Sequence, residues 1–208
     1  MLWALGQPVA ALGLAAAFIL GAALRGLVHR RVGDRLGGCA VVASGSAVSA
    51  LGAISLVLSG TGWWRPTGAH RAWAVAAGPL AVLAAGQVAL AGFAAAFPAQ
   101  RASLRLNYPS DVLRGVVGLT PWAQASLSLA VGLVCFGLLA LLPVPPLDGF
   151  RVGSAALCDP VPRPTGAEWP SVLGALVLLL LAVVPLGDRS PLLIALDLLG
   201  TPLLRVWS

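Results

Sequence analysis

Long apolar runs separated by short polar loops dominate the chain. The runs cover residues 3–24, 38–59, 73–97 and 122–144, and a shorter run follows at 170–186. A run of about 20 residues matches a hydrocarbon core roughly 30 Å thick at ~1.5 Å per helical residue. Strands of a β-barrel would be shorter and would alternate apolar and polar positions. The pattern therefore predicts an all-α integral membrane protein, a bundle of about five to six transmembrane helices.

The first and the last apolar stretches each allow two interpretations. The first run has no basic residue before it and no clear cleavage site, so we interpret it as a retained helix rather than a signal peptide. The final apolar stretch, 191–206, contains Asp197 and Pro202. It would be either a sixth, tilted helix or a segment in the membrane interface. We therefore expect a membrane core over residues 1–157 and a C-terminal membrane region over residues 158–208.

Composition supports a multi-pass protein of the cell membrane. Hydrophobic residues make up 59% of the chain and charged residues only 10%, whereas about a quarter of an ordinary soluble domain is charged. Tryptophan prefers the headgroup level of a bilayer. All the tryptophans fall at the ends of apolar runs: Trp3, Trp63, Trp64, Trp73, Trp122, Trp169 and Trp207. The lipid bilayer is thus the expected surrounding of the helices.

The basic residues are all arginine and lie mainly in the loops. A net charge of +6 could indicate nucleic-acid binding, but no basic face with interleaved aromatic residues is present, so we exclude that partner. If the first four runs all span, the first and third loops share one side. Those loops hold Arg25, Arg30, Arg31, Arg35, Arg101, Arg105 and Arg114, against Arg65, Arg71, Arg151 and Arg163 in the others. The excess predicts a cytoplasmic first set and an amino terminus outside.

A broken helix end is the most informative feature of the chain. The fourth run meets Pro143, Pro145 and Pro146, and then Asp148 and Gly149. Proline breaks a helix, and irregular backbone at membrane depth needs cover from protein or a water-filled cavity. A carboxylate there costs about 2.5–3.5 kcal/mol on insertion scales, so it indicates a functional site. The alternative is that the helix simply ends at Pro143 and Asp148 is a solvated turn residue.

This stretch resembles the Leu-Asp-Gly motif of the site-2 protease family of intramembrane zinc metalloproteases. In that family the aspartate is the third zinc ligand, a role that the resemblance gives to Asp148. Two further stretches agree in order and spacing over residues 7–157. Residues 78–81, Gly-Pro-Leu-Ala, are similar to the family's Ala-Gly-Pro-Leu-Ala-Asn helix start, and residues 31–34, Arg-Val-Gly-Asp, to its Arg-Leu-Gly-Asp. The resemblance implies a site-2-protease-like core in which the first helix lies against the proline-rich break.

The catalytic motif of that family, His-Glu-x-x-His, is absent. Its positions are occupied by Gly21, Ala22, Ala23, Leu24 and Arg25. Both zinc-binding histidines and the water-activating glutamate are therefore missing, and the family's asparagine is replaced by Ala140. Catalytic zinc needs about three protein ligands, and the resemblance leaves only the vestigial position at Asp148. We expect no cofactor, with zinc as the alternative if unrecognised ligands exist.

Arg25 stands at one of the vacated ligand positions and has two candidate roles. It could pair with Asp148 and replace a metal dication by a fixed cation, because a buried carboxylate needs a partner. The alternative, which the sequence alone favours, is that Arg25 extends to lipid headgroups. We expect His29 and His70 to be interfacial residues near arginines. The cysteines show no metal-type spacing, and Cys135 is expected to pack as a small hydrophobe.

The expected function is that of a non-catalytic binding or regulatory membrane protein, a pseudoprotease with no catalytic residue. It would hold a transmembrane helix of another protein in the former substrate groove. The candidate binding residues are Arg25, Pro143, Pro145, Pro146, Asp148 and Gly149. Two alternatives stay open: an active intramembrane metalloprotease with non-standard ligands, and a small transporter or structural membrane subunit.

Overall fold

The computed structural model describes residues 7–35, 50–64, 72–157, 169–185 and 187–208. Within those ranges every regular element is helical, which agrees with the predicted all-α class. The helices are α1 (Pro8–Arg35), α2 (Ala50–Ser59), α3 (Ala72–Ala96), α4 (Ser103–Leu106), α5 (Pro109–Arg114), α6 (Pro121–Leu141), α7 (Asp148–Leu157), α8 (Trp169–Val183) and α9 (Pro191–Arg205).

Three helices of the described part are long and apolar enough to cross a membrane: 8–32 in α1, 73–96 in α3 and 121–141 in α6. Helix α6 starts at Pro121, because the fixed φ of proline suits the first helical position. It ends at Leu141, ahead of the prolines, which cannot continue the hydrogen-bond ladder. The third and fourth predicted runs are therefore found close to their predicted bounds, whereas α1 continues well past residue 24.

Helix α6 is the centre of the bundle. Most of its residues are buried, whereas most residues of α1 and α3 in the corresponding windows are not. Helix α3 crosses it antiparallel, because Gly86 faces Val134 while Gly137 faces Leu83. A Cβ atom at Gly137 would lie 2.9 Å from the Leu83 amide nitrogen. Glycine at these crossings lets the two backbones approach closely.

Helix α1 runs parallel to α6 and antiparallel to α3. Gly13 packs on Ser128, and further along Gly132 packs on Ala17, so α1 and α6 advance in the same direction. In the second half of α1, Arg25 approaches the beginning of α3. The end of α1, the start of α3 and the end of α6 therefore meet at one end of the bundle, which we call the site end. The start of α1 and residues 97–120 lie at the opposite end.

The second apolar run differs from its prediction as a full crossing. Its described helix, α2, has 10 residues, and residues 38–49 lie outside the described ranges. Because α1 and α3 are antiparallel neighbours, the chain between them must enter and leave at the same end, whereas a full crossing would make them parallel. Gly60, with a φ of 79°, turns the chain, and residues 61–64 return as buried, non-helical backbone. The described part of the run therefore turns back instead of completing a crossing.

For this reason one sequence-based prediction loses its basis and another is wrong. The last turns of α1 and α3 lie at opposite ends of the bundle, so the arginines near them cannot be counted together, and the predicted orientation loses its basis. Trp63 and Trp64 are buried inside the bundle rather than at headgroup level, because they belong to the returning segment. Trp73 and Trp122, at the starts of α3 and α6, are exposed as an aromatic belt requires.

The C-terminal region is shorter and less regular than predicted. Helices α8 and α9 have 15 residues each, or roughly 22 Å at 1.5 Å per residue, which falls short of a 30 Å hydrocarbon core. Helix α8 packs on α2, and α9 packs on α5 and α6. The predicted helix at 170–186 ends at Val183, and the stretch 191–206 folds as a helix that buries Asp197.

A polar network anchors α9 to α5. The Asp197 carboxylate accepts hydrogen bonds from the Ser110 amide at 2.8 Å and the Ser110 hydroxyl at 2.7 Å. Arg189 donates to Asp197 at 2.5 Å and to Asp111 at 3.1 Å. Its guanidinium also lies over the Tyr108 ring, 4.7 Å from the centroid. The buried carboxylate in α9 is therefore satisfied within the fold, which explains how an apolar helix can carry it.

Candidate functional site

Helix α1 presents three positions at helical spacing to α3: Gly21, Arg25 and His29. Arg25 and His29 are both buried. Gly78 allows this packing, because a Cβ atom there would lie 2.8 Å from the Cγ of Arg25 and would overlap the His29 ring. His29 also hydrogen-bonds to the backbone of Ala74. The prediction that His29 is interfacial is therefore wrong: it lies one turn beyond Arg25 on the same buried face.

Asp148 reaches the site from the other side of the break. It is the first residue of α7, which begins after an irregular stretch containing a cis peptide bond between Pro145 and Pro146. Gly149 packs directly on the carbonyl groups of Leu141 and Leu142, so α7 folds back tightly on the end of α6. Asp148 is buried as a result, and the interpretation as a solvated turn residue is wrong.

Arg25 and Asp148 form a bidentate ion pair although 123 residues separate them. The Nε atom of Arg25 donates to Oδ2 of Asp148 at 2.8 Å, and Nη2 donates to Oδ1 at 2.7 Å. The two side chains are only 4% and 2% exposed. Planar guanidinium matches a carboxylate in this fork geometry, which strengthens the hydrogen bonds and fixes their direction. Arg25 thus does not extend to headgroups, the role that the sequence alone favoured.

Trp64 completes the site and was missed by the sequence analysis. Its indole stacks on Phe18 with centroids 5.5 Å apart, and it meets the edge of Phe136 at 6.0 Å. The Arg25 guanidinium carbon lies 5.9 Å from the centroid of the indole. A Cβ atom at Gly21 would be 2.8 Å from the Trp64 ring. The indole therefore fills the space beside Gly21.

A second arginine lies near the carboxylate. Arg151, one turn after Asp148 on α7, is partly buried. Burial lowers the pKa of its guanidinium, the Asp148 carboxylate raises it, and the neighbouring Arg25 lowers it. Asp148 thus lies in the field of two guanidinium groups.

The remaining predicted binding residues lie beside the ion pair rather than in it. Pro143 is exposed, while Pro145 and Pro146 are partly buried. Gly174 of α8 packs directly on the Pro145 carbonyl, so α8 covers part of the broken backbone. His70 lies outside the described residues. Cys135 is buried in the core of α6 and is a free thiol, in agreement with the prediction that it packs as a hydrophobe.

The residues at this site do not fit a catalytic zinc ion. Such an ion needs about three protein ligands and an open position, yet Gly21 and Ala22 offer no donor atom. Both oxygens of Asp148 already accept hydrogen bonds from Arg25. In the part of the chain that the structure describes, no group of three or more His, Cys, Asp or Glu side chains could hold a metal. What the site can hold is the buried ion pair.

Comparisons with protein-family models, with curated proteins and with solved structures give no match, so what the chain does has to be inferred from this site.

Proposed function

We propose that the chain is a multi-pass protein of the cell membrane with a site-2-protease-like core, that it has no protease activity, and that it binds a transmembrane helix of another protein. Three apolar helices of spanning length support the membrane placement. The order of the sequence stretches, together with the contact between the first helix and the Pro143–Gly149 break, supports the resemblance to that family.

The Arg25–Asp148 pair is the observation that carries the proposal. A buried carboxylate needs a positive partner, and in the resembling family that partner is a metal ion. Here a guanidinium supplies the charge from one of the ligand positions, and it uses both carboxylate oxygens. The ion pair keeps α1 in contact with α7, and it leaves neither carboxylate oxygen of Asp148 available to bind a metal ion or to take part in a reaction.

A second consideration concerns water activation. Hydrolysis by a metalloprotease requires a general base beside a polarised water. The position of the family's glutamate is Ala22, which has no titratable group, and the neighbouring space beside Gly21 is filled by the Trp64 ring. A substrate carbonyl would therefore meet an aromatic surface and a neutralised ion pair. This environment suits binding rather than bond cleavage.

The outer faces of α1 and α3 are the surface that a partner helix would use. Along α3 they expose Leu80, Ala84, Val88 and Gly92 at a spacing of four residues. A Cβ atom at Gly92 would meet nothing within 4 Å, so this position leaves room for another backbone. Small residues on a membrane helix permit close approach of a second helix. The outer faces of α1 and α3 are therefore the binding surface we assign.

Photo-crosslinking in native membranes tests this assignment. A photoreactive residue at Val88, which is 72% exposed, is expected to give a discrete adduct with another membrane protein, while the same residue at Leu198, 77% exposed on α9, gives none. A large side chain at Gly92 should abolish the adduct, whereas Gly118→Leu should not, since both glycines border open space. Equal labelling at Val88 and Leu198, or an adduct insensitive to Gly92→Leu, would contradict partner binding at this surface.

A further inference from the structure

The end of the bundle opposite the ion pair has its own organisation. Arg101, just after α3, donates from Nε to the carbonyl oxygen of Trp207 at 2.7 Å and from Nη2 to that of Ser208 at 3.3 Å. Gln100 donates to the hydroxyl of Thr120 at 3.0 Å, at the start of α6. The connection between α3 and α6 is therefore fixed both to the end of α9 and to the start of α6.

Two arginines at this end form no ion pair with any residue that the structure describes. They are Arg105 on α4 and Arg205 on α9, and both are exposed. Arg189 holds the carboxylates of Asp111 and Asp197, and the exposed Asp188 lies beside Arg114, which donates to its carbonyl oxygen. Arginines therefore outnumber aspartates at this end, which presents an excess of positive charge to its surroundings.

Large apolar side chains stand directly beside those charges. Leu106 follows Arg105 and is 79% exposed, while Val206 follows Arg205 and is 67% exposed. Trp122, in the first turn of α6, is 82% exposed. In water each of these side chains would be unfavourably solvated. Leu106 and Val206 lie outside the spanning helices, and Trp122 lies at the very start of one. We call Arg105, Leu106, Trp122, Arg205 and Val206 the basic-apolar patch.

We propose that the basic-apolar patch docks on an anionic phospholipid surface. Exposed apolar side chains next to arginine suit the boundary between headgroups and acyl chains, where the apolar part is buried and the guanidinium meets phosphate. Tryptophan at the start of a spanning helix belongs at the same level. Charge complementarity selects anionic over neutral headgroups, because arginines outnumber the aspartates at this end and Arg189 already holds two of those aspartates.

This inference rests on the membrane placement proposed above and is independent of partner binding. It also gives α9 a role. This helix is too short to span, and it exposes Leu198 and, just after its last residue, Val206. It would lie in the membrane interface, held against α5 by the Asp197 network. Of the two candidate descriptions of residues 191–206, a sixth helix or an interfacial segment, the proposal favours the interfacial segment.

Fluorescence quenching in reconstituted vesicles tests the patch. The full chain is placed in vesicles of phosphatidylcholine and phosphatidylglycerol in equal amounts, with one or the other lipid brominated. The Trp122 signal is the difference between the unsubstituted protein and Trp122→Phe. Brominated phosphatidylglycerol is expected to quench it more strongly than brominated phosphatidylcholine. The double variant R105Q/R205Q should lose that selectivity, by roughly 5-fold for each arginine removed, as expected for a basic side chain near an anionic surface.

The double variant R30Q/R31Q is the matched control, because both arginines are exposed at the other end of the bundle. It should retain the selectivity. Equal quenching by both brominated lipids in the unsubstituted protein, or equal loss in both double variants, would overturn the inference. Quenching of the total tryptophan emission without quenching of Trp122 would also overturn it while leaving the membrane placement intact, whereas no quenching at all would contradict that placement as well.

Discussion

Neutralising either member of the Arg25–Asp148 pair alone is expected to destabilise the protein by about 3–5 kcal/mol, because the remaining charge would be buried without its partner. Arg25→Gln leaves a carboxylate, and Asp148→Asn leaves a guanidinium, in a site where the paired side chains are 4% and 2% exposed. The double variant R25Q/D148N removes both charges and should recover a substantial part of the loss. Unfolding of the purified protein in detergent measures all three variants.

The informative quantity in this experiment is whether the effects of the two substitutions on the free energy of unfolding add. Residues in direct contact give non-additive effects, whereas separate solvated residues add simply. Arg30→Gln is a suitable control: Arg30 is exposed on the same helix, and its replacement should change stability by no more than about 0.5 kcal/mol. Single substitutions at Arg25 and Asp148 with effects as small as that control, or effects that sum in the double variant, would show that the residues do not form a buried pair.

The second large effect is expected from Gly149→Ala, with a loss of roughly 3 kcal/mol, as overpacking of a well-filled interior costs. A Cβ atom at Gly149 would overlap the carbonyl groups of Leu141 and Leu142. Those groups are main-chain atoms that cannot rotate away, so α7 would have to move off the end of α6. Asp148 would move with it, and the bidentate geometry with Arg25 would be lost.

Gly153→Ala provides the matched control, four residues along the same helix. A Cβ atom at Gly153 would meet nothing within 4 Å, and alanine is favoured over glycine in a helix by about 0.5–1 kcal/mol. The expected results therefore differ in sign: Gly149→Ala lowers the free energy of unfolding and Gly153→Ala leaves it unchanged or raises it. Similar effects of the two substitutions would mean that α7 does not pack on the α6 end as described.

Much of the helical framework could be predicted, because the length of an apolar run in the sequence gives the approximate length of a spanning helix. The bounds of α3 and α6 follow from apolar runs of spanning length, and the end of α6 follows from the prolines after Leu141. Asp148 and Arg25 could be selected as site residues because a carboxylate at a broken helix, and an arginine at a position that the resemblance assigns to a zinc ligand, are both costly in an apolar environment. Their pairing could not be decided from the sequence, since an arginine side chain is long enough to reach headgroups as well.

The rest depends on contacts between distant residues. Hydropathy does not separate a run that crosses from one that turns back, so the return of the chain at Gly60 was missed. The burial of Trp64 was missed for the same reason, because tryptophan is expected at the membrane interface when only the sequence is known. The network of Asp197, Ser110 and Arg189 joins α9 to α5 across 87 residues, and only the isolated aspartate in an apolar stretch hinted at it.

Zinc content of the purified protein is the most direct test of the claim that a fixed cation has replaced a metal centre. Protein purified from zinc-supplemented cells and analysed by plasma emission is expected to contain far less than one zinc ion per chain, because the described residues include no group of zinc ligands and Asp148 is already paired with Arg25. The same low value is expected for Asp148→Ala. Stoichiometric zinc in the unsubstituted protein that disappears in Asp148→Ala would contradict the account and favour an active metalloprotease with non-standard ligands.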